Sequence, residues 1–496
     1  MQISIKILSC GLLTAAALSL VACKDLLEVQ PRSNGDLATA LSTVEGLDAT
    51  LNGIYDRMQS TNLYGRDFLA VAEALADNAQ ATNKSGRLNN ENRNVANASF
   101  VNWATSYFAI NQTNLLLEAV PNVVSLTDTN RRNSILGQGF FLRGLLYHDL
   151  MRAYAYEPGV ENTTQNRGGV PIILKGVNNQ DQLEYPARSP IADVYKQIYT
   201  DLQSAIGFFG RSSANAGNVP VYGNRTAAQL LLSRVALYNK DYARAVSAAT
   251  DAIGGTVKIV DATAYVGGWR APRNPESVFE LQFAALSENI GVNTSLQTTY
   301  TTLVRTNDRG TTGGFGDLVP NPAFLADVRS ETSATGFADV RAQLYELGTT
   351  GRGTAFVECT KFLGKNGNIN LDNVPILRIP EAYLNRAEAN AMLGNAATAL
   401  ADLNVIRTNR GLVARTAASF TTDVALLTEI LRQRRLEFAF EGHRWFDLKR
   451  RGQDVTKTIP LSATANNLPY NDFRILANIP INEVSTNKNL KQNFGY

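Results

Sequence analysis

The hydrophobic and polar positions along this chain fall mostly into a helical rhythm. Val44, Leu47, Leu51, Ile54 and Met58 recur at three- and four-residue steps, the spacing that lines one face of an α-helix. The same rhythm predicts helices over Phe68 to Ala76, over Trp103 to Val120 and over Ile135 to Tyr156. Ser189-Pro190 predicts another helix start, with the serine as N-cap and the proline as first helical residue. Two stretches then read alike, 226–253 and 380–407. Shifted by 154 residues, Ala228 meets Ala382, Leu230 meets Leu384 and Ala245 meets Ala399. Each carries a short turn, Asn239-Lys240-Asp241 or Leu393-Gly394-Asn395, between two runs with small residues where helices must approach closely. This predicts tetratricopeptide-like helix pairs, dispersed along the chain and not in tandem.

Between the pairs, residues 254–373 break the rhythm. Asn274 to Phe283 alternates as a strand does, and Thr294 to Gly316 is dense in threonine and glycine with no helical period. Asn78 to Asn97 is polar and rich in Asn and Arg. These stretches predict irregular insertions and loops on a helical scaffold, which is where binding residues concentrate.

The N-terminus carries its own pattern. Lys6 precedes a mostly apolar run, Ile7 to Leu20, too short to span a membrane in the mature protein. Leu20-Val21-Ala22-Cys23 follows, small residues before a cysteine, as in a bacterial lipobox. Residues 1–22 are therefore expected to be a lipoprotein signal peptide and Cys23 the acylated mature N-terminus. Residues 23–45 then form a tether. The body runs over 46–496, in an N-terminal part, 46–225, and a C-terminal part, 226–496, that holds the insertion 254–373.

Composition removes several classes of function. The chain has 496 residues, 44% of them hydrophobic, enough for a large core. A formal charge of +3 is too small for an electrostatic footprint on nucleic acid. Two histidines leave little room for a histidine metal site, and no cofactor is expected. Of three cysteines, only Cys359 lies in the body, so no internal disulfide framework is expected there. No HExxH, CxxC, Walker loop or GxSxG occurs. Gly313-Gly314-Phe315-Gly316 lacks the context of a phosphate loop. Glu437 and Glu441 stand one helical turn apart, but the arginines around them would lower their pKa values, which is wrong for a general acid.

Those glutamates belong to the stretch Arg434 to Gly452, RRLEFAFEGHRWFDLKRRG, which predicts a helix, a bend at Gly442 and a second short helix. Arg434 and Glu437, Glu441 and Arg444, and Asp447 and Arg451 stand three or four apart and are expected to pair along the helix. As a string it closely resembles the signature of the SusD/RagB family of surface lipoproteins. The lipobox, Gly168-Gly169-Val170-Pro171-Ile172 and the closing segment from Ile479 to Tyr496 resemble the family in the same order, so the likeness spans essentially the mature chain. Lys488 and Phe494 stand where the family usually has proline.

The resemblance implies a mainly α, SusD-like fold with tetratricopeptide-like pairs as scaffold and few short strands. It implies a nutrient-binding protein, not an enzyme, lipid-anchored on the outer membrane and facing outward. Its partners would be a glycan and a SusC-like TonB-dependent transporter. A surface glycoside hydrolase, a peptide-binding member of the same uptake system and a scaffold without small ligands are the alternatives. Arg435, Glu437, Phe440, Glu441, Gly442, Arg444, Trp445 and Asp447 are expected to be structural. For ligand contact, sugar C–H faces lie flat on aromatic rings while amides and guanidiniums bind hydroxyls. Trp269, Tyr265, Tyr300 and Tyr64 are the aromatic candidates, and Asn83, Arg87 and Asn89 the polar ones.

Overall fold

The computed structural model describes residues 40–496 apart from 124, 214–219, 285, 289, 366–367 and 459–466. The expected signal peptide, Cys23 and nearly all of the expected tether lie outside the described residues.

The architecture is mainly α. The first helices are α1 (Val44–Met58), α2 (Asp67–Leu75), α3 (Trp103–Ala119), α4 (Thr129–Tyr154) and α5 (Ile191–Gly210). Two hairpins follow, α6 (Arg225–Tyr238) with α7 (Tyr242–Ile253), and α8 (Ile379–Met392) with α9 (Ala396–Asn409). The string near the C-terminus forms α10 (Asp423–Glu437) and α11 (Arg444–Arg450). Side-chain oxygens at Thr43, Asp128, Asn224 and Asp241 accept first-turn backbone N–H groups, which fixes where these helices begin. The helix expected from Ser189-Pro190 starts one residue late. Pro190 takes the cap position, and the Ser189 hydroxyl accepts the Ile172 N–H at 3.3 Å instead.

From α3 to α9 the helices pack side by side in chain order, so the two dispersed hairpins become neighbours through α7 and α8. The reason is the small residues seen in the sequence. Ala236 and Leu237 of α6, Ala245 of α7 and Ala389 of α8 form one buried cluster, where alanines let the axes come close. Two buried polar contacts pin the pairs together: Arg234 to Glu381 at 2.6 Å and Asn385 to Ser233 at 3.1 Å.

Strands are few and short. Among the described residues they form two-stranded antiparallel ladders only: β1 (Ala79–Ala81) with β3 (Leu318–Pro320), β2 (Ser277–Leu281) with β8 (Val374–Arg378), β4 (Thr332–Ser333) with β5 (Gly336–Phe337), and β6 (Tyr345–Leu347) with β7 (Val357–Cys359). The 294–316 stretch is not wholly irregular, because Leu296–Tyr300 makes one helical turn capped by the Ser295 hydroxyl. No helix among the described residues is long and apolar enough to cross a membrane.

Candidate functional site

Two regions draw the polar side chains together, a buried one around 434–452 and an exposed one around 82–92.

The buried region is built on α10 and α11. Helix α10 stops at Glu437, and Phe440 (φ 64°) and Gly442 (φ 77°) turn the chain through left-handed backbone before α11 begins. A Cβ on Gly442 would sit 2.8 Å from the Leu69 Cα, so only glycine lets α2 lie this close. Trp445 is buried. The charged residues, however, do not pair along the helix as expected. Glu437 binds Arg410 at 2.9 Å, Arg378 at 3.0 Å and Arg341 at 3.5 Å. Glu441 binds Lys361 at 2.6 Å and Arg378 at 2.7 Å, and Asp447 binds Arg434 and Arg450, both at 2.9 Å. Arg444 reaches Asp77 at 2.6 Å, and Arg451 reaches Glu388 at 3.1 Å. Nearly all of these partners are far away in sequence, because the string is interior and its charges must be satisfied by whatever surrounds it. Burial alone would push the Glu437 carboxyl up. The guanidiniums of Arg410 and Arg378 outweigh that and hold it well below the usual range. A carboxylate in this state stores no proton, so it cannot serve as a general acid.

The aromatic ligand candidates fall in the same interior, and this corrects the expectation that they are exposed. Trp269, Tyr265, Tyr300 and Tyr64 are all buried. Arg378 and Lys361 lie over the Trp269 ring at 5.2 and 5.0 Å, and Arg410 over Tyr265 at 4.2 Å. Tyr300 meets Phe440 edge-on at 5.1 Å, and the Tyr64 hydroxyl donates to Asp149 at 2.5 Å. The insertion folds inward here, and its rings sheathe buried cations. They have no face left for a sugar.

The exposed region begins where the string grips α2. Arg435 donates to the Asn78 side chain at 2.7 Å, and Gly442 N–H donates to Glu73 at 3.0 Å. Lys457 donates to the carbonyls of Ala74 and Asn92 at 2.9 and 2.6 Å. These contacts fix both ends of the polar loop. The β1–β3 ladder then sets it beside 311–317, with Thr82 N–H donating to Asp317 O at 2.8 Å. Asp317 is buried and accepts from Ser85 at 2.5 Å and Arg87 at 2.9 Å. The guanidiniums of Arg87 and Arg352 both lie over the half-buried Phe315 ring, at 4.4 and 3.7 Å. Lys84 pairs with buried Glu358 at 3.5 Å and lies 5.3 Å from the Phe356 ring. Asn83 is exposed at φ 60°, and Asn89 donates to it at 2.5 Å.

Of the polar candidates, Arg87 therefore lies on the Phe315 ring beside a second guanidinium, Arg352, while Asn83 and Asn89 pair with each other elsewhere on the same loop. Planar guanidiniums held flat on a ring, with carboxamides on the same loop, suit hydroxyl-rich or carboxylate-bearing ligands. Phe315 and Arg352 were missed. A lone aromatic inside Gly313-Gly314-Phe315-Gly316 and an arginine inside Gly351-Arg352-Gly353 were the available signals, since glycines on both sides leave the side chain as the only feature of the loop. Among the described residues no group of three or more His, Cys, Asp or Glu is arranged to hold a metal ion. Cys359 is buried, and burial pushes its thiol up to about 12.

Residues 349–496 match the family described as SusD family, and residues 25–237 match one described as starch-binding associating with outer membrane. A SusD-like protein, P2, of Formosa agariphila is 23% identical over 96% of this chain and 97% of its own length. The starch-binding protein SusD of Bacteroides thetaiotaomicron is 32% identical over a shorter stretch, 25% of this chain and 22% of that one. The crystal structure of a SusD superfamily protein from Bacteroides thetaiotaomicron superposes with a TM-score of 0.77 at 26% identity, covering 92% of this chain and 100% of that one.

Proposed function

The chain belongs to the SusD/RagB family, and from that premise we propose that it is a cell-surface lipoprotein that captures a glycan and hands it to a SusC-like TonB-dependent transporter. The observation that carries this reading is the match of 25–237 to a family described as starch-binding and associating with the outer membrane. The loops around Arg87, Phe315 and Arg352 support it chemically. They offer flat cationic and amide groups on a rigid base. Glu437, Glu441 and Asp447 are paired with arginine and lysine, which speaks against a role for them as general acids and favours capture over cutting.

Cys23 supplies the anchor, and its acyl chains supply the membrane affinity. Passage across the membrane then needs a second protein. A short tether from Cys23 keeps the body over the transporter, where it acts as a lid. Held together, the two sites share a high effective ligand concentration, so affinity in the micromolar to millimolar range, on the order of −4 to −8 kcal/mol, suffices.

Tagged protein, purified in mild detergent from its native membrane, is expected to bring a large barrel protein with it. Deleting the gene is expected to abolish uptake of the cognate glycan. Cys23→Ala is expected to leave the protein unprocessed or soluble. Incubation with a polysaccharide panel should give retention without product release. Release would favour the hydrolase, and retention of peptides alone would favour the peptide-binding member.

A further inference from the structure

We propose that the chain carries a second carbohydrate subsite, for a neutral oligosaccharide segment, in the cleft between α1 and Tyr222. This rests on the glycan-binding reading but involves none of the loop residues named for it.

Two hollows adjoin along α1. One, of about 380 Å³, is lined by Asn52, Gly53, Asp56, Tyr222, Leu281 and Gln282 among others. The other, of about 280 Å³, shares Asn52 and Tyr222 and continues past Asp48 and Arg131 to Gln138. Volumes of this order suit small-molecule sites. The sequence makes the wall: Asp48, Asn52 and Asp56 recur every four residues, so α1 turns one polar stripe toward the cleft. Gly53 leaves space beside them, since a Cβ there would meet nothing nearer than the Gln112 Nε2 at 3.9 Å.

Tyr222 gives the cleft an aromatic platform where the two hollows join. It is 39% exposed, unlike the aromatics sheathing the core. Its ring stands edge-on to Tyr55 at 5.8 Å. Tyr55 is itself locked, its hydroxyl donating to Gln138 at 2.7 Å and accepting the Gly223 N–H at 2.8 Å. The platform is therefore held in place before any ligand arrives, which lowers the entropic cost of binding. The side chains of Asn52, Asp56 and Gln282 have no hydrogen-bond partner among the described residues, so their acceptors and amide donors are free. Arg131 is already paired with Asp48. One aromatic face, free amide and carboxylate groups and a neutralised arginine match a sugar ring, with C–H bonds on the ring and hydroxyls at the rim. They do not match an anion.

The test is affinity electrophoresis in soluble starch, laminarin, xylan and the acidic polysaccharide pectin, with melting temperatures in parallel. Tyr222→Ala removes the platform. Asn52→Ala removes only a rim amide, at a mid-helix position where alanine is favoured. Each is expected to weaken retention on the neutral polysaccharide that wild type binds, by about three- to tenfold for the ring, with an unchanged melting temperature. Unchanged retention in both variants overturns the subsite. Retention of wild type on pectin alone also overturns it, while leaving glycan capture intact. No retention of wild type on any of the four fails both readings.

Discussion

The string 434–452 and the loop face around Arg87 are both rich in arginine, and they use it in opposite ways. In and around the string the guanidiniums are met by carboxylates: Arg434 and Arg450 are buried on Asp447 at 2.9 Å, and Arg378 of β8 is buried on Glu276, Glu437 and Glu441 at 2.7–3.0 Å. On the loop face, Arg352 spends its Nε on the Gly314 carbonyl at 2.8 Å and lies on Phe315, with its terminal nitrogens unpaired among the described residues. The first arrangement leaves nothing for a ligand. The second leaves a flat donor surface. The string's work is to hold α2, the insertion and the second hairpin in register, and the loop face is set on that base. The string and the candidate loop face are thus separate regions, joined by Asp77, Asn78 and Glu73 at the end of α2.

Glu437→Ala should break the string most. It leaves Arg410, Arg378 and Arg341 with an uncompensated buried charge, expected to cost about 3–5 kcal/mol in a urea titration. Trp445→Ala truncates a fully buried ring and should cost about as much, roughly 3–5 kcal/mol, in the same titration. If Trp445→Ala kept the wild-type melting temperature but lost ligand binding, the string would belong to the site and the contrast would collapse.

A subtler lever is pH. Burial pushes the Glu73 carboxyl up to about 7, although it accepts the Gly442 N–H. Its folded pKa therefore lies above its unfolded one, near 4.5. The folded state holds the proton longer, so the stability it contributes is full below about pH 4.5 and is lost as pH rises through about 7. Asp372, raised to about 6 by burial, acts in the same direction. Glu73→Gln should keep the neutral form at every pH. Its melting temperature is expected to fall less than wild type's between pH 5 and pH 8. A parallel fall would mean that Glu73 is ionised throughout.

Much of the scaffold was legible because helical period and small-residue spacing are local properties. The pairs expected at 226–253 and 380–407 came directly from them, and the bend from Gly442 itself. The ion pairs were not legible. Arg410, Arg378 and Lys361 reach the string from other segments, and spacing rules see only neighbours along one helix. The insertion misled for a related reason. Without a period, nothing in the sequence said which of its aromatics turn inward: Trp269 and Tyr265 cover buried cations, and Tyr300 packs against Phe362 and Phe440. Asn83, Arg87 and Asn89 were readable as loop residues, but Phe315 and Arg352 lie more than two hundred residues away, and Phe315 meets Arg87 through the β1–β3 ladder.

The smallest expected change in stability is also the sharpest test. The variant Arg352→Ala removes one guanidinium from Phe315, leaves the Arg87–Asp317 pair in place and touches nothing in the string. Measured together by melting and by affinity electrophoresis on the retained polysaccharide, it should stay within about 1 kcal/mol of wild type in stability and lose most of its retention. Wild-type retention at wild-type stability would contradict the assignment of binding to this face, and a collapse in stability would contradict the separation of clamp from site.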